Sequence, residues 1–292
     1  MKHKRYRGKY IRKREHLPLW LWMIPASLLV IGLVAVGMIL LNRHNARLEY
    51  QRLAEAVRQT QVTTVQTNAP VETTVPTETI IPTETTEPGE TTRAATEPAP
   101  LEQYRPLYEQ NPEMVGWLRI DGTVIDYPVM HTPEDPEKYL HRNFQGVDSY
   151  AGTPFIDYRC TEDSDNLVIY GHNMSDGSMF HTLPDYQQKN YWQAHPVIRF
   201  DSIYEEREYE VVAAFYDRVY YTHETYFKFY NFIDAANEAE YNSTIKQFKN
   251  KSLYDTGVTP QYGQQLITLV TCTYHVENGR FVVVACEKEQ HR

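Results

Sequence analysis

The first uniform stretch of hydrophobic positions lies near the start of the chain. Residues 19–41, LWLWMIPASLLVIGLVAVGMILL, hold no charged side chain over 23 positions. A helix of that length is long enough to cross a hydrocarbon core of about 30 Å. The alternative is a cleaved signal peptide, but its apolar region covers only about 7–15 residues and ends at a small-residue cleavage site. We therefore predict that 19–41 is a retained transmembrane anchor.

Farther along the chain, the hydrophobic pattern changes to short β-prone runs bounded by turn residues. Eight such runs predict strands at 116–120, 123–130, 153–157, 166–170, 197–201, 209–216, 266–272 and 280–286. They fall within residues 101–292, a segment large enough for one domain with its own core. Eight short strands in one domain favour a mostly β fold, closed as a barrel or packed as a sandwich.

Helical patterns lie between the predicted strands. They cover residues 101–110, 184–194 and 233–251. The last is rich in Ala, Glu, Lys and Gln, and Asp234 or a neighbour is a candidate for its N-terminal cap. This helix is predicted to be a long insertion before the last pair of strands.

Between the anchor and the β-rich domain the chain becomes polar. Residues 42–58 are predicted to be a juxtamembrane segment, and residues 59–100 contain fourteen Thr, six Pro and six Glu but no aromatic residue. Such a composition cannot bury enough apolar surface to offset the entropy lost on ordering. We therefore predict that 59–100 is a disordered, extended stalk, whose threonines would also suit O-glycosylation.

The net charge of −9 is unevenly distributed. Residues 1–16 hold eight Lys or Arg and one Glu, whereas residues 101–292 hold sixteen basic and twenty-nine acidic side chains. The positive-inside rule predicts that the basic head, 1–18, is cytoplasmic and that the chain after the single span is extracellular. The head would also favour anionic membrane lipid. The acidic body argues against nucleic acid as a partner.

Three cysteines are too few for a disulfide scaffold, and at least one must be a free thiol. Cys160 lies in the polar sequence YRCTEDSD and is expected at the surface, whereas Cys286 ends the strand FVVVAC and is expected to be a small buried hydrophobe. Cys272 closes the run QLITLVTC, and Arg280 begins the next strand eight residues later. A hairpin of that length can bring Arg280 close to Cys272. For this pair alone, a core cysteine with a surface arginine is the simpler alternative.

A second chemical signal is the sequence NLVIYGHNM at 166–174, which places His172 where a strand ends in a glycine-containing turn. His275 is a rival partner for Cys272, or part of a CxxH metal fragment. No HExxH motif or paired CxxC accompanies it, so we predict no metal site and no cofactor. A nucleophilic thiol needs an acid or base, a means of favouring the thiolate and a donor for the oxyanion. Cys272, His172 and Arg280 would supply all three.

These residues resemble the sortase family. The resemblance rests on TLVTC at 268–272, on Arg280 and on the upstream YGHNM, and it covers essentially all of 101–292. Three further features resemble class B: NPEMVGWLRIDGTVIDYPVMHTPEDPEKYLHRNFQG, AGTPFID and the inserted helix. The resemblance implies an eight-stranded β-barrel. Val270 fills the middle position of TLxTC, where class B members often carry Ser, and this leaves the subsite preference open.

The resemblance also implies a function, that of a membrane-anchored cysteine transpeptidase of the Gram-positive cell surface. Cys272 would cleave a Thr-containing sorting signal of a secreted protein and form a thioacyl enzyme, a thiol-protease step followed by acyl transfer. His172 would exchange protons with the leaving and incoming amines, and Arg280 would steady the oxyanion. Thr271 would contribute a backbone or hydroxyl donor, and Val270 would border the substrate. The acceptor amine would come from a peptidoglycan precursor or a pilin lysine.

Two other functions are compatible with parts of the sequence. Among cell-wall cysteine enzymes, NlpC/P60-type hydrolases place Cys before His along the chain, and L,D-transpeptidases carry an HG-Cys motif that is absent here. A non-catalytic wall-binding module would also suit the stalk and the acidic body. That interpretation leaves the combination of Cys272, His172 and Arg280 unexplained. Nothing in 233–251 indicates which sorting motif is recognised.

Overall fold

The computed structural model describes residues 19–67 and 99–288 and divides into two compact units, residues 1–44 and 45–292. The predicted cytoplasmic head, 1–18, and most of the predicted stalk, 68–98, lie outside the described residues. Each unit is considered by itself.

The first unit contains the beginning of α1 (Leu19–Thr67). Its large apolar side chains between Leu28 and Leu41 are exposed. Water is an unfavourable environment for such a surface, whereas lipid is a favourable one. By length and composition, α1 contains a segment that could cross a membrane.

In the second unit α1 continues without a break through the predicted juxtamembrane segment and ends at Thr67. Residues 42–67 contain no Gly or Pro and many Ala, Leu, Arg, Gln and Glu, which favour helix. Residues 59–67, which were expected to begin the stalk, are therefore helical.

One face of α1 packs into the core of the second unit. Tyr50, Leu53, Ala54 and Val57 are buried there, at the spacing of a single helical face. Thr67 and Ala99, the described residues on either side of the Thr-rich segment, both belong to this unit. For residues 68–98 the expected spacer stays a prediction.

The second unit is an eight-stranded closed barrel, as predicted. Its strands are β1 (Met114–Arg119), β2 (Asp126–Met130), β3 (Phe155–Ile156), β4 (Asn166–Tyr170), β5 (Val197–Ser202), β6 (Glu208–Arg218), β7 (Leu266–Cys272) and β8 (Gly279–Glu287). They close in the order β1-β2-β3-β4-β7-β8-β6-β5. The pairs β2–β3 and β4–β7 are parallel, and the other pairs are antiparallel.

The predicted strands differ from the observed ones mainly at their ends. The bounds of β4 and β7 agree with the prediction, whereas the runs at 123–130 and 153–157 shorten to β2 and β3. The near-continuous apolar sequences of β7 and β8 are buried on both faces, as expected for strands that are covered inside and outside the barrel.

Three helices accompany the barrel: α2 (Arg105–Gln110), α3 (Lys189–Ala194) and α4 (Glu238–Lys251). The pattern at 184–194 divides into a 3₁₀ turn, Leu183–Gln187, followed by α3. The inserted helix α4 precedes the last strand pair, as predicted, and Phe248 stacks on Phe215 of β6 with ring centroids 6.1 Å apart.

The N-terminal cap of α4 is Asn237. Its side-chain oxygen accepts a hydrogen bond from the backbone N–H of Glu240 at 3.1 Å. Asp234, the other candidate, lies before the helix and accepts from the backbone N–H of Asp165 at 3.0 Å. Asp234 therefore ties the approach to α4 to the residues just before β4.

Candidate active site

The last strand pair brings Cys272 and Arg280 together. Cys272 ends β7 and lies directly opposite Arg280 of β8 in the antiparallel register. The connecting turn is closed by a hydrogen bond from the Thr273 N–H to the Gly279 carbonyl at 3.0 Å. A Cβ atom on Gly279 would lie 2.6 Å from the Thr273 carbonyl oxygen, so only glycine fits this approach. The hairpin expected from the spacing is therefore present.

His172 reaches the same end of the barrel through β4. Tyr170 pairs with Val270 in the parallel β4–β7 register, so the residues that follow each strand emerge side by side. The hydroxyl of Thr271 donates to the Gly171 carbonyl at 2.7 Å, and the amide of Asn173 donates to the Cys272 carbonyl at 3.2 Å. These two bonds tie the chain on either side of His172 to the end of β7.

The imidazole of His172 has a fixed backbone partner. Its Nε2 atom lies 2.9 Å from the carbonyl oxygen of Leu140. A carbonyl can only accept, so Nε2 carries the hydrogen and Nδ1 is the ring nitrogen available for proton exchange. Burial lowers the pKa of His172, and the neighbouring His141 lowers it further, whereas the bond to Leu140 opposes both.

Arg280 is half-buried. Its Nη1 atom donates to the carbonyl oxygens of Gly279 at 2.9 Å and Asn278 at 3.3 Å. Among the ion pairs of residues 19–67 and 99–288, none uses Arg280.

All three candidate residues border a single groove of about 330 Å³. Its walls are largely aromatic or apolar, and its lining comprises Pro136, Glu137, Tyr139, Leu140, Thr153, Phe155, Asp157, Tyr158, Tyr170, Gly171, His172, Val270, Thr271, Cys272 and Arg280. Largely apolar walls with a few polar groups are typical of a ligand-binding site.

The two candidate substrate-contacting residues border this groove with little exposed surface. Val270 and Thr271 are each 1 % exposed. The Thr271 hydroxyl donates its hydrogen bond to the Gly171 carbonyl. It therefore holds the two strand ends together and is not a free donor for a substrate.

A buried carboxylate in the groove wall was missed from the sequence. Asp157 accepts hydrogen bonds from Arg159 Nε at 2.8 Å, Arg159 Nη2 at 2.9 Å and the Tyr170 hydroxyl at 2.9 Å. Burial alone would raise the pKa of Asp157, but these bonds outweigh it and hold the pKa below its usual value. The only sequence signal was the stretch AGTPFID, and nothing in it indicates that Tyr170 lies beside Asp157.

The three cysteines have different environments, and none forms a disulfide. Cys286 is 4 % exposed, as predicted, but the surface position expected for Cys160 is wrong because this residue is only 2 % exposed. The turn after β3 folds Cys160 inward, where its thiol donates to the Asn166 carbonyl at 3.5 Å. Burial raises the pKa of both thiols to about 11. Cys272 is the partly exposed cysteine of the three.

The rival histidine does not join the groove. His275 is exposed in the β7–β8 turn, where Nδ1 lies 2.7 Å from the Thr273 hydroxyl and the ring contacts Tyr216 with centroids 4.7 Å apart. Within the described residues, no cluster of three or more His, Cys, Asp or Glu could hold a metal ion.

Comparison with known proteins identifies the family. Residues 118–288 match the Sortase domain family. Sortase B of Listeria monocytogenes is 36% identical over 187 residues, which cover 62% of this chain and 72% of that protein. The crystal structure of sortase B from B. anthracis in complex with AAEK1 is 33% identical with a TM-score of 0.57, and the match covers 66% of this chain and 87% of that one.

A Staphylococcus aureus sortase B–substrate complex shares the fold, with a TM-score of 0.65 at 22% identity over 86% of this chain and 99% of that one. With residues 118–288 matching the family domain and a sortase B at 36% identity, the chain belongs to the sortase family, the cysteine transpeptidases of the cell wall, and its relatives are of class B.

Proposed function

We propose that this sortase cleaves a threonine-containing sorting signal of secreted proteins, holds the cleaved protein as a thioacyl intermediate on Cys272 and transfers it to an amine of the cell surface. One observation carries the proposal: the ends of β4, β7 and β8 present His172, Cys272 and Arg280 to the same groove.

The first step is attack of the Cys272 sulfur on the threonine carbonyl carbon. A carbon–sulfur bond forms, and the carbonyl electrons move to oxygen. An ordinary thiol has a pKa near 8.5, so only a few per cent is thiolate at neutral pH. Arg280, directly opposite in the ladder, favours negative charge on this side of the groove. Its guanidinium N–H groups also suit the oxyanion through charge-assisted hydrogen bonds.

Collapse of the oxyanion breaks the carbon–nitrogen bond of the signal, and the departing amine needs a proton. His172 supplies it from Nδ1, since Nε2 is bonded to the Leu140 carbonyl. The neutral imidazole then accepts a proton from the incoming amine as that amine attacks the thioester. The thiolate leaves, and the enzyme returns to its starting state with no cofactor consumed.

The two substrates follow from this chemistry. Among solved relatives, one S. aureus sortase B is a complex with substrate and another sortase B is complexed with triglycine. These complexes support a sorting-signal peptide as the first substrate and an amine-bearing peptide as the second. A peptidoglycan precursor and a pilin lysine both offer a suitable amine.

The location proposed for the domain is the outer face of the cell membrane. The apolar part of α1 would be the single anchor in lipid. The eight Lys or Arg of residues 1–16 would keep the N-terminus in the cytoplasm. The barrel would then meet exported proteins and cell-wall amines.

The proposal is tested with the full chain in detergent micelles. Thr-containing peptides from a library are incubated with enzyme and triglycine, and products are identified by mass spectrometry. We expect one peptide class to yield a triglycine conjugate and, without triglycine, a thioacyl adduct on Cys272. Cys272→Ala should give neither product, whereas Cys160→Ala, which alters a cysteine outside the groove, should give both. Cleavage by Cys272→Ala at the wild-type rate would disprove the mechanism.

A further inference from the structure

The carbonyl that holds His172 belongs to a loop that packs against α1. Leu140 ends a 3₁₀ turn, Lys138–Leu140, and the chain then runs to Gly152 and Thr153 before β3. The loop is closed on itself by a hydrogen bond from the Thr153 N–H to the Tyr139 carbonyl at 2.9 Å. Any movement of its two ends would therefore move the carbonyl of Leu140.

Gly152 lies directly against that carbonyl. Its φ is +60°, in the left-handed region, and a Cβ atom there would lie 2.4 Å from the Leu140 oxygen and 2.6 Å from the Tyr139 oxygen. The backbone of Gly152 thus forms the packing surface behind the Leu140 carbonyl, and the position of one constrains the other.

Tyr50 of α1 holds Gly152 by a hydrogen bond. Its hydroxyl donates to the Gly152 carbonyl at 2.7 Å, and its oxygen lies 2.9 Å from the Thr153 hydroxyl. The side chain is 3 % exposed and packs edge-to-face on Tyr127 with centroids 5.4 Å apart. A buried ring held on two sides is a rigid support for the loop.

A second contact joins the same two segments. The Glu49 carboxylate accepts a hydrogen bond from the Asn143 side chain at 2.9 Å. Neighbouring residues of α1 therefore bind the loop near both of its ends.

We propose that Tyr50 is a positioning residue for His172, acting through Gly152 and the Leu140 carbonyl. This inference rests on the proposed acid–base role of His172. The Leu140 bond raises the pKa of His172 against burial and against His141. Loss of the Tyr50 hydroxyl would loosen that bond, so the pKa of His172 would fall and its ring would be less well oriented.

The pH dependence of the site involves the groups that share the groove with His172. Apart from His141, which stacks on the ring, they are Glu137, Tyr139, Asp157, Tyr158, Tyr170, Cys272 and Arg280. Tyr50 is not among the lining residues, so its replacement leaves all of these groups in place. A change in the pH profile would then report on the position of His172.

The test compares two conservative variants of the full chain in detergent micelles. Tyr50→Phe removes the hydroxyl that supports the loop. Tyr104→Phe is the matched control, because Tyr104 is equally buried and donates to Asp201 at 2.5 Å, outside the groove. kcat and KM for a cleaved sorting peptide are measured from acidic to alkaline pH, with thermal unfolding of each variant.

We expect Tyr50→Phe to lower kcat by about tenfold with KM unchanged, since misorientation of a reacting group affects the chemical step. The alkaline limb of its pH profile should move to lower pH. Tyr104→Phe should lower the unfolding temperature but keep the wild-type kcat and profile.

Wild-type kcat and profile in a folded Tyr50→Phe enzyme would overturn the inference. Failure of the proposed function would give a different result. Wild type and His172→Ala would then cleave the peptide at equal rates, or neither would cleave it. Were Tyr50→Phe unable to fold, Asn143→Ala provides the same readout, because it loosens the same loop by removing the bond to Glu49 and the bond that the Val147 N–H donates to the Asn143 side chain. An unchanged profile there would equally overturn the inference.

Discussion

His141 stacks on His172, with ring centroids 5.6 Å apart and planes inclined by 24°. The carbonyl of Leu140 bonds the edge of the His172 ring, at Nε2. Positive charge on His141 opposes protonation of His172, and burial of His172 acts in the same direction. The imidazolium form, which a general acid needs, is therefore lost at a lower pH than in an ordinary histidine.

Replacement of His141 by Asn should raise the pKa of His172. Removing the neighbouring positive charge removes one cause that lowers the pKa of His172, so the pKa rises and the imidazolium persists to higher pH. The alkaline limb of kcat/KM against pH should shift upward. His223→Asn is the control, because His223 is exposed and stacks on Tyr221 instead. An alkaline limb that stays in place in His141→Asn would contradict this interpretation of the pair.

Arg280→Lys should separate the oxyanion role from charge alone. Lysine keeps the positive charge but lacks the planar fork of donors, so we expect kcat/KM to fall about 10²-fold, as for loss of an oxyanion donor. The unfolding temperature should stay at the wild-type value.

The matched control is Arg105→Lys, which alters a surface arginine paired with Glu102 at 3.1 Å. Its kcat/KM should equal that of wild type. Full activity of Arg280→Lys in the same assay would remove Arg280 from the site.

The elements that could be predicted from the sequence are those with a local pattern. β4 and β7 are unbroken apolar runs between turn residues, and both were predicted with their observed bounds. Continuation of α1 through residue 67 was missed, because polar helix-forming residues without a long apolar run also suit an unstructured segment. The buried face of Tyr50 and Val57 becomes evident only when the barrel supplies its partner surface.

The same division holds for the active site. Cys272, His172 and Arg280 could be proposed as candidates because side-chain chemistry and strand ends are visible in sequence and because they fit the sortase pattern, and the structure brings all three to one groove. The contact of the Leu140 carbonyl with His172 could not be predicted, since every residue has a backbone carbonyl and residue type does not distinguish this one. Cys160 was misplaced for a related reason: its polar neighbours face solvent while the turn folds its own side chain inward.

Asn237→Ala should destabilise the domain by about 1 kcal/mol, because the helix α4 loses its N-terminal cap. The free energy of unfolding is measured by chemical denaturation. Asn242→Ala, an exposed change within the same helix, should be neutral or slightly stabilising, since Ala is the better helix former. Equal losses in the two variants would rule out a specific capping contribution.

Thiol labelling should distinguish the three cysteines in the folded enzyme. A methanethiosulfonate reagent needs an accessible thiolate, and burial both shields Cys160 and Cys286 and raises their pKa to about 11. We therefore expect a single adduct, at Cys272, with peptide cleavage lost in proportion to labelling. Peptide mapping by mass spectrometry locates the adduct, and labelling in denaturant should reach all three thiols.

In Cys160→Ala the labelling rate should match wild type, whereas Cys272→Ala should stay unlabelled. Rapid native labelling of Cys160 would mean that the turn after β3 opens readily, and inactivation could then no longer be assigned to Cys272 alone.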